Sequence, residues 1–112
     1  MKATPIVKWA GGKTKLLPRL MAHVPARFGR YFEPFMGGAA LFFALEPREA
    51  YIGDVNTALV TLYRAVASDL DEVIRVALAH KAKHADTAYY YDVRHRWNDA
   101  TTRASMSVTE VA

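Results

Sequence analysis

The chain has 112 residues, 52% of them hydrophobic, and a formal net charge of +4; this allows one domain with a modest core and is too apolar for a disordered tail. It contains no cysteine, which excludes disulfide scaffolds and thiolate metal sites and fits a reducing cytosol. Its longest apolar run, Phe35–Leu45, is too short to span a bilayer, and Lys8 interrupts any signal-like apolar start.

In chain order, Ile6–Lys8 offers a weak strand. It leads into "VKWAGGKT", Val7 to Thr14. Glycines beside a lysine suggest backbone N–H groups and an ammonium facing an anion, and the ending resembles that of a phosphate-binding P-loop. That motif, G-x-x-x-x-G-K-[ST], needs a glycine where this chain has Val7, so the wide phosphate-wrapping turn is not encoded. A Gly-Gly surface turn remains. Trp9 beside it has a ring able to pack on a planar ligand or wedge against a core.

"TKLLPRLMAHV" then reads as a short helix with Pro18 in its first turn. Arg30–Glu33 reads as a short strand by its aromatic content, "PFMGG" as a turn, and "AALFFAL" as a short buried helix closed before Pro47. Ala50–Gly53 is a second short strand ending at Asp54. Asn56 is suited to cap the next helix, whose Leu59, Leu62, Tyr63 and Val66 share one face. Ser68 is expected to start another helix with Leu70, Val73, Ile74, Ala77 and Leu78 on one side. "KAKHAD" breaks the pattern, and "TAYYYDVRHRWND" reads as a third helix capped by Asp86 or Thr87. Ser107–Glu110 has the S-x-x-E form of a capping box only two residues before Ala112. The expectation is that the chain is the front part of a longer protein.

The order strand, glycine turn, helix, strand, acid is a βαβ unit with a parallel sheet. Helix N-termini favour anions, and Gly37 and Gly38 would let the backbone approach a ligand closely. Asp54 stands 17 residues after Gly37, near the spacing at which an acid in dinucleotide folds accepts hydrogen bonds from ribose hydroxyls. The unit therefore predicts an adenosine-type ligand, but no dinucleotide, because G-x-G-x-x-G is absent. Glu33, at a strand end, is placed to accept a ligand amine or to cap the helix that follows. His80 and His84 form the sole i, i+4 histidine pair and lack further ligands, so they read as surface and no metal site is expected. Seven basic residues, from Lys2 through Lys8 to Arg30, precede the first acid, Glu33. Such asymmetry suits nucleic acid, although charge alone does not separate that from an ordinary solvated surface.

Four motifs, in order, resemble those of the Dam-type DNA adenine methyltransferases. They are "KWAGGK" (Lys8–Lys13), "EPFMGG" (Glu33–Gly38), "DVN" (Asp54–Asn56) and "YYDVRHRWN" (Tyr90–Asn98). The resemblance implies a partial Rossmann-like class I methyltransferase fold of the α/β class, a first βαβ unit followed by helices. Residues 1–67 would be the S-adenosylmethionine-binding portion, and 68–112 a helical segment leading to target-recognition and catalytic parts. It implies contacts to the methyl donor from Trp9 and Lys13, with Ala10, Gly11 and Gly12 shaping the loop and Lys13 attracting the donor's carboxylate. Glu33 would stand near the methionine amine, Phe35, Gly37 and Gly38 would line the pocket, and Asp54 would bind the ribose. Lys8 would contact nucleic acid. The partners implied are S-adenosylmethionine and double-stranded DNA, with no membrane, in a bacterial or phage-type cytoplasmic setting.

Two departures stand out. Ala39 occupies a position where this family often has a glycine; its methyl is expected to crowd the helix start slightly. The Asp-Pro-Pro-Tyr motif on which methyl transfer depends in this family does not occur, nor does any Pro-Pro, so no catalytic residue is assigned. Outside this family two classes remain open, a non-catalytic nucleic-acid-binding module and a P-loop-like nucleotide hydrolase.

Overall fold

A computed structural model describes residues 2–99, 101, 102 and 106. The chain divides into two compact units, residues 1–57 and 58–112.

The first unit is mixed α/β. A 3-10 turn at Thr14–Leu16 runs into α1, Leu17–His23, with Pro18 in the first turn, where its missing N–H costs nothing. Strands β1, Tyr31–Glu33, and β2, Ala50–Ile52, pair in parallel with Tyr31 opposite Ala50 and Glu33 opposite Ile52. The pairing continues beyond the strands: Tyr31 N–H donates to the Glu49 carbonyl at 3.0 Å, and Gly53 N–H to the Glu33 carbonyl at 2.9 Å. The helix α2, Ala40–Leu45, connects the two strands and ends at Glu46, in the left-handed conformation just before Pro47. A residue preceding proline is disfavoured in the helical region, which is why the helix stops there. Glu33, Met36, Gly38, Ala39 and Ala40 are the buried residues of this unit's strand-to-helix corner.

The expected strand at Ile6–Lys8 is absent. Residues 6 and 7 lie in a bend, and the sheet among the described residues has two strands. Pro5 lacks a backbone donor for a ladder, and Ile6 is about half exposed rather than packed in a sheet.

In the second unit, α3 (Thr57–Ser68) buries Leu59, Leu62 and Ala65 at helical spacing. Ser68 closes this helix rather than opening the next: its hydroxyl donates to the Arg64 carbonyl at 2.8 Å, one turn back. α4 runs from Leu70 to Lys81 with Asp69 at its N-cap, acids in its first turn and His80 and Lys81 in its last, as the helix dipole favours. Its apolar side is less buried than expected, since Leu70, Ile74 and Leu78 are each about half exposed. α5, Thr87–Asn98, opens on Asp86, whose carboxylate accepts the Tyr89 N–H at 3.0 Å. No described helix is long and apolar enough to cross a membrane. Ser107–Glu110 lies outside the described residues.

Candidate functional site

The carboxyl ends of β1 and β2 and the loop from Trp9 to Lys13 carry the site. Trp9 to Gly12 is a tight turn, closed by the Gly12 N–H on the Trp9 carbonyl at 2.9 Å, with Gly11 at φ +75. Positive φ is unstrained for glycine alone, so Gly11 permits the turn. A Cβ on Gly12 would lie 2.9 Å from the Trp9 carbonyl oxygen, closer than real Cβ contacts allow. These glycines thus fold the segment back on itself instead of opening a phosphate-wrapping loop.

The turn delivers Lys13 to β1. Its ammonium forms an ion pair with Glu33 Oε1 at 2.7 Å and also donates to the Phe35 carbonyl. The Glu33 side chain is 7% exposed and that of Lys13 29%. A carboxylate this buried needs its charge matched and its oxygens bonded. Lys13 meets the first need and Tyr31 the rest, its O–H donating to Glu33 Oε2 at 2.6 Å. Burial first, then the bond to Glu33 and its negative charge, push the Tyr31 hydroxyl above its ordinary pKa and keep it a donor.

Asp54 follows β2 and ties the two strand ends together. Its Oδ1 accepts the Asn56 N–H at 2.9 Å and its Oδ2 the Gly37 N–H at 3.0 Å. Those two bonds, the Asn56 one foremost, lower its pKa, with the Lys13 charge adding to the effect. A carboxylate has about four acceptor positions, so Asp54 keeps capacity for hydroxyl donors.

The glycine turn between β1 and α2 lies against the N-terminal segment. A Cβ on Gly37 would stand 3.5 Å from Trp9 Cδ1; one on Gly38 would stand 3.2 Å from the Val7 carbonyl and 3.5 Å from Pro5 Cβ. Gly38 is buried under that segment, so its small size serves packing of Pro5–Trp9. Trp9 is partly exposed and lines a cleft of about 790 Å³ with Pro5, Val7, Lys8, Gly12 and Gly38. The Lys13–Glu33 pair and Asp54 lie outside the lining of that cleft, while Trp9, which lines it, lies beside Gly37, whose N–H binds Asp54. Ala39 is fully buried at φ +63, so its departure from glycine is felt in backbone conformation.

Residues 9–112 match the family model described as D12 class N6 adenine-specific DNA methyltransferase. The chain belongs to that family. It is 39% identical over 90 residues to the Type II methyltransferase M1.LlaDCHI of Lactococcus lactis subsp. cremoris, covering 80% of this chain and 31% of that protein. Over 92 residues it is 40% identical to the Type II methyltransferase M.CviBI of Paramecium bursaria Chlorella virus NC1A, covering 80% of this chain and 35% of the relative. Against the DNA adenine methylase of Haemophilus influenzae it is 30% identical over 112 residues, covering 96% of this chain and 38% of the relative. The chain thus spans roughly a third of the length of these curated relatives.

For this D12-class chain, the structure brings Lys13, Glu33 and the Phe35 carbonyl together, and Gly37 with Asp54. It leaves Phe35 72% exposed and Ala10 exposed at the corner of its turn. Lys8 is exposed on the cleft wall. Sequence reasoning passed over Tyr31. The available signal was the strand period of two, which puts Tyr31 and Glu33 on one face of β1.

Proposed function

We propose that this chain forms the S-adenosylmethionine-binding portion, centred on residues 1–67 of a Rossmann-like class I fold, of an enzyme that methylates the exocyclic amino group of adenine in DNA. The observation that carries this reading is the pair of carboxylates at the carboxyl ends of two parallel strands. Asp54 is held by the glycine turn after β1, and Glu33 is already bound to an ammonium. Ligands of open α/β sheets bind at such strand ends.

The residues present fit the donor. Glu33 holds one ammonium, which matches its charge, and each of its oxygens keeps acceptor capacity for a second N–H donor. The Lys13–Glu33 pair is complementary to a zwitterionic amino acid, whose carboxylate would face Lys13 and whose ammonium would face Glu33. Asp54 stays ionised to accept ribose hydroxyls, and Trp9 offers an apolar ring. The bound donor supplies a methyl group made electrophilic by its sulfonium. The chain's own residues grip the donor's amino-acid and ribose ends and so orient it. The adenine must leave the base stack, at a cost of a few kcal/mol. Lys8 and the basic residues of the first unit contact DNA phosphates, which gives salt-dependent binding.

Calorimetry with S-adenosylmethionine tests the pocket. Asp54→Ala is expected to weaken binding about tenfold, the loss of hydrogen bonds to a charged acceptor; equal affinities would remove Asp54 from the site. In the family the transfer step rests on Asp-Pro-Pro-Tyr, which these residues do not contain. The 112-residue chain alone is therefore expected to move no labelled methyl to DNA, and robust incorporation would defeat that expectation.

A further inference from the structure

We infer that Tyr31 is the positioning residue of the donor site, holding the Glu33 carboxylate in the orientation that receives the donor's α-ammonium. The inference rests on the donor-binding reading above and adds a residue that reading did not use.

A glutamate carboxylate turns about a broad terminal torsion, so a bare Glu33 would present no fixed direction to a ligand. Two contacts remove that freedom. Lys13 engages Oε1 at 2.7 Å and Tyr31 engages Oε2 at 2.6 Å. The two are not equivalent. Lys13 comes from a loop, remains part exposed and carries a charge that the donor's own carboxylate would draw on. Tyr31 stands two residues from Glu33 on the same face of β1, which pairs with β2 through the register Tyr31 opposite Ala50. Its backbone N–H is itself held by the Glu49 carbonyl at 3.0 Å. Its hydroxyl can only donate to an ionised carboxylate, and it stays protonated across the working range. The strand therefore supplies a rigid donor that keeps Oε2 in place when Lys13 shares its charge with the donor. Each Glu33 oxygen then has one bond and keeps acceptor capacity for the donor's ammonium.

The test compares S-adenosylhomocysteine with its des-amino analogue, in which hydrogen replaces the α-amino group, by calorimetry on the 112-residue chain. Tyr31→Phe is expected to weaken S-adenosylhomocysteine about tenfold and to leave the des-amino compound unchanged. A general loss of structure would weaken both ligands alike, so equal weakening overturns the inference. Unchanged affinity for both also overturns it while leaving the donor pocket standing. No binding of either ligand by the wild type removes the donor reading and this inference together. A wild-type measurement guards against a variant that does not fold. In chain carrying carbon-labelled tyrosine, the Tyr31 ring resonance is expected to move further with S-adenosylhomocysteine than with the des-amino analogue, which keeps the carboxylate but not the ammonium. A Tyr31 resonance indifferent to S-adenosylhomocysteine overturns the inference.

Discussion

Ala39 shows how a single methyl is weighed. It sits at φ +63 with no exposed surface. The left-handed conformation costs an L-residue about 1–2 kcal/mol. Ala39→Gly would remove that cost, but would also lose a buried methyl worth about 0.8 kcal/mol and free the unfolded chain by about 0.4–1 kcal/mol. The contributions nearly cancel, so urea unfolding of Ala39→Gly is expected to match the wild type within about 1 kcal/mol. Ala39→Val adds branching and volume at a strained, filled position and is expected to lose more than about 2 kcal/mol. Asp54 gives a pH signature at the same scale. Its pKa is lower folded than unfolded, because Asn56 and Gly37 donate to its ionised form. Its contribution is therefore complete above the unfolded value, about 3.9, and lost as pH falls through the lower folded value. Thermal melts of the wild type are expected to decline in that acid window more steeply than those of Asp54→Asn; parallel curves would show that Asp54 contributes nothing there.

Elements add what single residues do not reveal. The turn at Trp9–Gly12 and the turn at Gly37–Gly38 pack on each other through Trp9, so a change in one is transmitted to the other. Gly38→Ala would place a methyl 3.2 Å from the Val7 carbonyl and is expected to lift Pro5–Trp9 off the corner. Trp9 fluorescence should then shift to the red, and an unchanged spectrum would contradict the packing. In the second unit, α5 buries no residue and leans on its ends. Asp86→Ala is expected to cost about 1 kcal/mol, read as faster amide exchange at Tyr89 and Tyr90. These elements also mark how far the sequence could be read. Pro18, Pro47 and Asp86 carry local chemistry that works wherever the chain goes, and the boundaries they imply are the ones observed. Ser68 failed because a serine hydroxyl serves equally as a cap or as a donor one turn back, and the choice belongs to the surroundings. Tyr31 escaped because an aromatic in a strand reads as packing until a buried carboxylate is found within reach of its hydroxyl.

For the whole molecule, the distribution of apolar surface matters most. Phe32 and Tyr51 stack across the strands with ring centroids 5.0 Å apart, yet they are 62% and 54% exposed. They occupy the face opposite Tyr31 and Glu33, and the exposed Phe35 follows β1. No third strand among the described residues pairs with β1 or β2. An uncovered aromatic pair on a short sheet with open edges invites pairing with another copy. Sedimentation of the 112-residue chain is therefore expected to show mass rising with concentration. Phe32→Glu combined with Tyr51→Lys replaces the stack by opposite charges that still attract across the strands, so the fold should survive. That variant is expected to sediment as a monomer with an unchanged circular dichroism spectrum. Association that persists in the folded variant would place the contact elsewhere, and a wild type that stays monomeric throughout would show that this face needs no cover.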